Sequence, residues 1–182
     1  MTQRPDVRLC LALVVGAVAL AACAGATAPA TPHSAADTTS SGDIPDTQAY
    51  VSFTPTAGGY SLKVPDGWTS TANGSAVTFT SHFNSIRVDT VAAPQALTTA
   101  SVTASELPAL RSGTPSFALR DVTSVHRSAG EAVRIRYTSQ SQPDPVTGRT
   151  VRLDVERYEF WRGGVQATLT LADPAGADNT DP

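Results

Sequence analysis

The chain has 182 residues, with 13 Lys+Arg against 16 Asp+Glu and a formal net charge of -3. At 41% hydrophobic and 16% charged it is too apolar to be disordered throughout, and it lacks the basic surplus that a nucleic-acid binder needs to neutralise phosphates. Two cysteines build neither a disulfide scaffold nor a four-cysteine zinc site, and the length suits one domain with appendages.

The first 22 residues read as an export signal. Arg4 and Arg8 form a positive end, Leu9 to Leu20 is apolar, and Ala21 and Ala22 are small. The apolar run from Leu9 to Ala24, about 16 residues, is short of the ~20 that span a bilayer comfortably. Leu20-Ala21-Ala22-Cys23 resembles the bacterial lipobox, in which a Cys thiol takes a diacylglyceryl group and the bond before it is cut. The resemblance implies that Cys23 becomes a lipidated N-terminus on the extracytoplasmic face of the cell membrane. The plainer alternative is ordinary cleavage at Ala24-Gly25-Ala26 or Ala26-Thr27-Ala28. A diacylglyceryl thioether supplies two acyl chains, enough for stable anchoring without a basic patch.

Residues 23–48 are rich in Ala, Thr, Ser, Pro, Gly and Asp, with Ile44 the only large apolar side chain. Such a segment buries too little to offset its ordering entropy, so a disordered tether of roughly 25–30 Å is expected. The folded domain is expected over 49–182, where 11 basic side chains face 12 acidic ones. Twelve of the basic residues in the whole chain are Arg, scattered as a GC-rich genome would scatter them.

From Tyr50 onward the pattern has the period of half-buried strands. Tyr60–Val64 alternates and ends at Pro65-Asp66-Gly67, with Trp68 expected as a core anchor. Asn73-Gly74 predicts a hairpin joining Thr69–Ala72 to Ala76–Ser81. Ser85–Ala92 sets Ile86, Val88 and Thr90 on one face and Arg87, Asp89 and Val91 on the other. Thr99–Arg111 predicts a helix with Val102, Leu107 and Leu110 as its apolar stripe. Pro108 inside it removes a hydrogen bond and clashes backward, which leaves a start near Ser105 open.

Phe117–His126, Glu131–Gln140 and Val151–Trp161 predict three further strands, and Arg162-Gly163-Gly164 turns the chain into Val165–Leu171. In the third, the apolar parity changes from Val151, Leu153 and Val155 to Tyr158 and Phe160, which predicts a β-bulge near Arg157. Arg134, Arg136, Arg152, Asp154 and Glu156 are expected as a solvated charge ladder rather than an anion site. Tyr158, Trp161 and Arg162 form an aromatic–Arg combination that interfaces favour, although core aromatics are the simpler reading.

Gly58-Gly59-Tyr60-Ser61-Leu62-Lys63-Val64-Pro65-Asp66-Gly67-Trp68 resembles the opening of PsbP-type domains and of the related actinobacterial Lpq-type lipoproteins. Tyr158-Glu159-Phe160-Trp161, Gly163-Gly164, Leu169-Thr170-Leu171 and Asp173–Asp178 are similar to that group's late hairpin and the start of its last helix. The resemblance implies an α+β fold, an antiparallel sheet with helices packed on it in an α/β/α-like sandwich. Asp181-Pro182 would open a final helix, so the expectation is either a C-terminally truncated domain or one that closes differently.

No G-x-S-x-G, P-loop, G-x-G-x-x-G or H-E-x-x-H occurs, and His82 and His126 have no His or Cys at ligand spacing. The expectation is therefore a non-enzymatic accessory or binding module of the envelope, with no catalytic residue, cofactor or metal. Its partners would be the membrane, through the lipid, and an unidentified envelope protein, with no nucleic acid. The alternative is a small-molecule or lipid carrier using a cleft between sheet and helix. A cell-wall hydrolase would need His82 or His126 within reach of both a Ser and an Asp.

Overall fold

The computed structural model describes residues 42–56 and 59–177. The leader, Cys23, the tether up to residue 41, Gly58 and the terminal Asp181-Pro182 lie outside the described residues.

The described chain is mostly β, and this corrects the expected α/β/α sandwich. Its strands are β1 (Tyr50–Phe53), β2 (Leu62–Pro65), β3 (Thr69–Asn73), β4 (Ala76–Ser81), β5 (Asn84–Ala92), β6 (Ala118–Arg127), β7 (Gly130–Gln140), β8 (Arg152–Arg162) and β9 (Val165–Pro174). β1 and β2 pair alone, and the rest form one antiparallel sheet in the order β3-β4-β5-β9-β8-β7-β6. A single helical run, α1, lies between β5 and β6. It is α-helical over Thr99–Ser101, π-helical over Val102–Glu106 and α-helical over Leu107–Gly113. A sandwich with helices on both faces is replaced by two small covers on opposite faces.

Directly paired residues share a face, so the registers show what each cover buries. On one face, Val102 and Leu107 of α1 join Val133, Ile135, Tyr137 and Val155 in the core, with Leu97 and Leu110 packed against them. Burying each such side chain contributes about 1.5–3 kcal/mol. On the other face, the Phe53 ring of β1 meets Phe79 of β4 edge-on, centroids 5.0 Å apart. Phe79 pairs with Ile86, and Ile86 with Leu171, so β1-β2 covers the β4-β5-β9 half. Val64 and Pro65 are the buried residues of β2, while Trp68, expected as the anchor, is only half-buried. Each face is thus apolar under its cover and polar beside it.

The helix begins at Thr99, and Thr98 caps it: its hydroxyl accepts from the Ser101 amide at 3.1 Å, and Ser101 Oγ accepts from the Thr98 amide at 2.8 Å. Pro108 is accommodated by widening the preceding turn rather than by a later start. The Leu107 amide reaches back five residues to the Val102 carbonyl, and Pro108 falls in the first turn of the segment that follows. At 3.6 residues per turn Val102 and Leu107 would stand about 140° apart; the wider turn brings both onto the sheet.

The expected bulge near Arg157 is absent, since β8 keeps continuous register with both β7 and β9. The change of parity arises because Arg157 and Glu159 occupy the helix-side face, half-buried Arg157 paired with buried Glu159, while Tyr158 and Phe160 belong to the opposite face. The register shift lies instead in β6, between Leu119 and Asp121. It turns Arg120 toward Asp154, at 2.5 Å, on the same face as Asp121. The Asn73-Gly74 hairpin forms one residue later than expected: Asn73 pairs with Ala76, and Gly74, at φ +61, is the first central residue. A type II′ turn needs positive φ at that position alone.

Residues 42–48, within the segment expected as tether, lie against the sheet. Asn84 Nδ2 donates to the Gly42 carbonyl at 2.8 Å, and Gln48 Nε2 donates to the Asp66 carbonyl at 3.1 Å.

Candidate functional site

Beside α1, the helix-side face of β5, β9 and β8 forms the floor of a groove of about 280 Å³. The registers arrange this floor in three successive cross-strand rows. Arg87 pairs with Thr170, and Thr170 with Arg157; Asp89 pairs with Thr168, and Thr168 with Glu159; Val91 pairs with Gln166, and Gln166 with Trp161. Rows lie about 6.8 Å apart along the strands, and neighbouring strands about 4.8 Å apart. Glu106 of α1 forms the wall.

Glu159 organises this floor. Its side chain is 1% exposed and its carboxylate accepts three bonds: from Arg157 Nε at 2.5 Å, Thr168 Oγ1 at 2.5 Å and Gln166 Nε2 at 2.8 Å. Burial raises its pKa above the ordinary Glu value, and Arg157 and the two other donors oppose that rise. Arg157 also reaches Glu106 at 3.4 Å, and Arg87 pairs with Asp89 at 3.2 Å. Asp89, which accepts from Ser75 Oγ at 2.7 Å, is held below the usual carboxylate range by that bond first and by Arg87 next. At the far end Val91 and Trp161 are exposed, and the Trp161 indole N–H donates to the Ala93 carbonyl at 2.9 Å.

The lining is therefore mainly polar. The groove lies between sheet and helix, and its floor is charged and hydroxylated rather than apolar.

The opposite face of β6-β7-β8 carries the charged ladder. Arg136 Nε donates to Asp121 at 2.8 Å, Arg152 to Thr138 Oγ1 at 3.2 Å, and Arg127 to the Tyr158 hydroxyl at 2.6 Å. The Tyr158 hydroxyl donates to Glu156. Asp121 is held below the usual range by its bond from Arg136. Asp173, half-buried and facing Asp154 and Glu156, is pushed up to about 6, by desolvation first and then by those carboxylates.

Tyr158 and Trp161 stand on opposite faces, an odd number of residues apart on a regular strand, so the aromatic–Arg combination does not assemble. His82 lies beside Ser81, Nδ1 to Oγ 3.3 Å, and His126 meets Glu131 at 2.6 Å on the surface; neither contact joins a Ser to an Asp. Among the described residues no group of three His, Cys, Asp or Glu side chains is placed to hold a metal. Cys23 lies outside the described residues.

Sequence reasoning placed Arg87, Asp89 and Val91 on one face but did not single them out. The missing signal was the position of β9 between β5 and β8, a pairing that no local pattern encodes.

No family model matches the sequence, and no curated protein matches it. The chain is similar over part of its length to a crystal structure of PA94 from Pseudomonas aeruginosa, a protein of unknown function described as a candidate regulator. That match has 18% identity and a TM-score of 0.43, covering 70% of this chain and 85% of that one.

Proposed function

We propose that the chain is a lipid-anchored extracytoplasmic lipoprotein whose domain is a non-enzymatic accessory or binding module of the cell envelope. One observation carries the reading: Leu20-Ala21-Ala22-Cys23 closes an apolar stretch behind Arg4 and Arg8. A nucleophilic thiol there meets the membrane surface just where a lipid is added, and two acyl chains suffice to hold the protein. The paired charges of the groove support recognition rather than chemistry, because each arginine and carboxylate already has a partner. The carrier reading draws support from the cleft between α1 and the sheet, and its polar floor suits a water-soluble ligand better than a lipid.

Mass spectrometry of the mature N-terminus, with detergent phase partition of wild type and Cys23→Ala, tests the anchor. The expected result is a diacylglyceryl Cys23 in the detergent phase and an aqueous or unprocessed variant. An unmodified N-terminus at Gly25 or later overturns the reading. Pull-down from solubilised membranes then tests the accessory role, with a stoichiometric envelope partner expected.

A further inference from the structure

We infer that the groove between α1 and β5-β9-β8 binds a neutral saccharide; this deepens the binding-module reading and rests on it. The charges argue first. Arg87 is paired with Asp89 at 3.2 Å, and Arg157 with Glu106 at 3.4 Å and with the buried Glu159 at 2.5 Å beneath the floor, so each of the two arginines and two carboxylates that line the groove already has an opposite partner. An anion would have to displace carboxylates from these pairs, and a cation would compete with the arginines. A neutral ligand does neither.

Hydrogen-bonding capacity argues next. A sugar hydroxyl both donates and accepts, so vicinal hydroxyls fit where donors and acceptors alternate. The first row offers guanidinium N–H groups on either side of the Thr170 hydroxyl, and the second offers the Asp89 carboxylate. Glu159, out of reach of solvent, binds the Gln166 amide nitrogen and so leaves the amide oxygen for a ligand in the third row. The same carboxylate fixes Arg157 and Thr168. These side chains are ordered before a ligand arrives, which lowers the entropic cost of binding.

The third row supplies what the C–H face of a sugar ring needs. Val91 lines the groove there, and Trp161, the cross-strand partner of Gln166 at the groove's edge, is exposed with its indole fixed by the bond to Ala93. A volume of about 280 Å³ lies just below the ~300–1,000 Å³ of typical small-molecule sites and suits one or two sugar rings.

The test is a ¹⁵N NMR titration of the full chain in a sugar-free detergent. The probes are glucose, mannose, galactose, N-acetylglucosamine and their neutral disaccharides, with sodium sulfate and sodium glutamate as charged comparators. Trp161 reports through its indole N–H, assigned with Trp161→Phe, and Trp68 serves as the internal reference. At least one saccharide should shift the Trp161 indole and the Arg87 and Arg157 Nε–H signals saturably while leaving Trp68 still. Thr170→Val, which keeps strand shape and removes one hydroxyl, should weaken that binding about tenfold. No shift with any saccharide, or shifts with sulfate or glutamate alone, overturns the inference. A flat titration of a protein that still carries lipid on Cys23 and recovers a partner overturns the ligand class and leaves the binding-module reading intact. Saccharide shifts in a chain cleaved beyond Cys23 support the ligand class and overturn only the anchor.

Discussion

Asp154 on β8 and Asp173 on β9 are direct cross-strand partners, two carboxylates facing each other on the side of the sheet away from the helix. Arg120 takes Asp154 at 2.5 Å, and Asp173 is left half-buried, its pKa pushed up to about 6. Asp173 is therefore harder to ionise in the folded protein than in the unfolded chain. Its contribution to stability is complete below about pH 4 and is lost as the pH rises through about 6. Asp173→Asn should raise stability at pH 8 by ~1 kcal/mol, allowing for solvent screening at this half-exposed site, or a few degrees in Tm. At pH 3, where Asp173 is largely neutral in both the folded and the unfolded chain, the two proteins should melt together. Thermal melts at the two pH values check this, and a variant less stable at pH 8 would contradict it.

Glu159 poses the opposite problem, a buried carboxylate with every oxygen used. Glu159→Leu leaves Arg157, 22% exposed, with only the long contact to Glu106, and should cost about 3 kcal/mol in urea unfolding. Much of that cost is an uncompensated charge rather than lost attraction. Adding Arg157→Met should therefore recover more than half of it. If the double variant is no more stable than Glu159→Leu alone, the pair is not a coupled unit.

Glu159 and its half-buried partner Arg157 also explain what was legible in the sequence. Alternation and turn residues located the strands of the large sheet to within a residue or two, except that β9 runs three residues past Leu171 to Pro174, where the resemblance implied the start of a helix. Alternation failed at Arg157, because a binary pattern assigns charges outward, and an ion pair of half-buried Arg157 with buried Glu159 then imitates a phase slip. The real shift at Arg120 left no trace in hydrophobicity. The resemblance in Gly58–Trp68 rested on strand and turn residues, which a mostly β fold uses as readily as a helix-covered sheet. The groove was invisible for a different reason: Arg87 and Arg157 are 70 residues apart in sequence and meet only because β9 lies between their strands.

Gly42 closes the N-terminal end of the described fold against β5 and β9. Its φ is +111, and a Cβ there would overlap the Pro174 ring, so any side chain is both strained and obstructed. Gly42→Ala should release residues 42–48 without unfolding the sheet. Endoproteinase Asp-N should then cut before Asp46 several times faster than in wild type, while the melting curve of the domain shifts by no more than a few degrees. Unchanged cleavage would mean that the contact holds nothing in place.

The widened turn of α1 answers two demands at once: it spares Pro108 a clash with the Ala104 carbonyl, and it sets Val102 and Leu107 on one face although they are five residues apart. The two causes are separable. A chain lacking Ala104 puts Val102 and Leu107 four apart, where an ordinary α-turn aligns them, but it keeps the proline inside that turn. This deletion alone should cost about 3 kcal/mol, the penalty of a proline in a helix interior. Combined with Pro108→Ala, it permits a regular helix with the same apolar stripe and should lie within ~1 kcal/mol of wild type. Urea midpoints of the two variants decide the matter. Equal stability of the deletion with and without Pro108 would show that packing alone, and not the proline, keeps the turn wide.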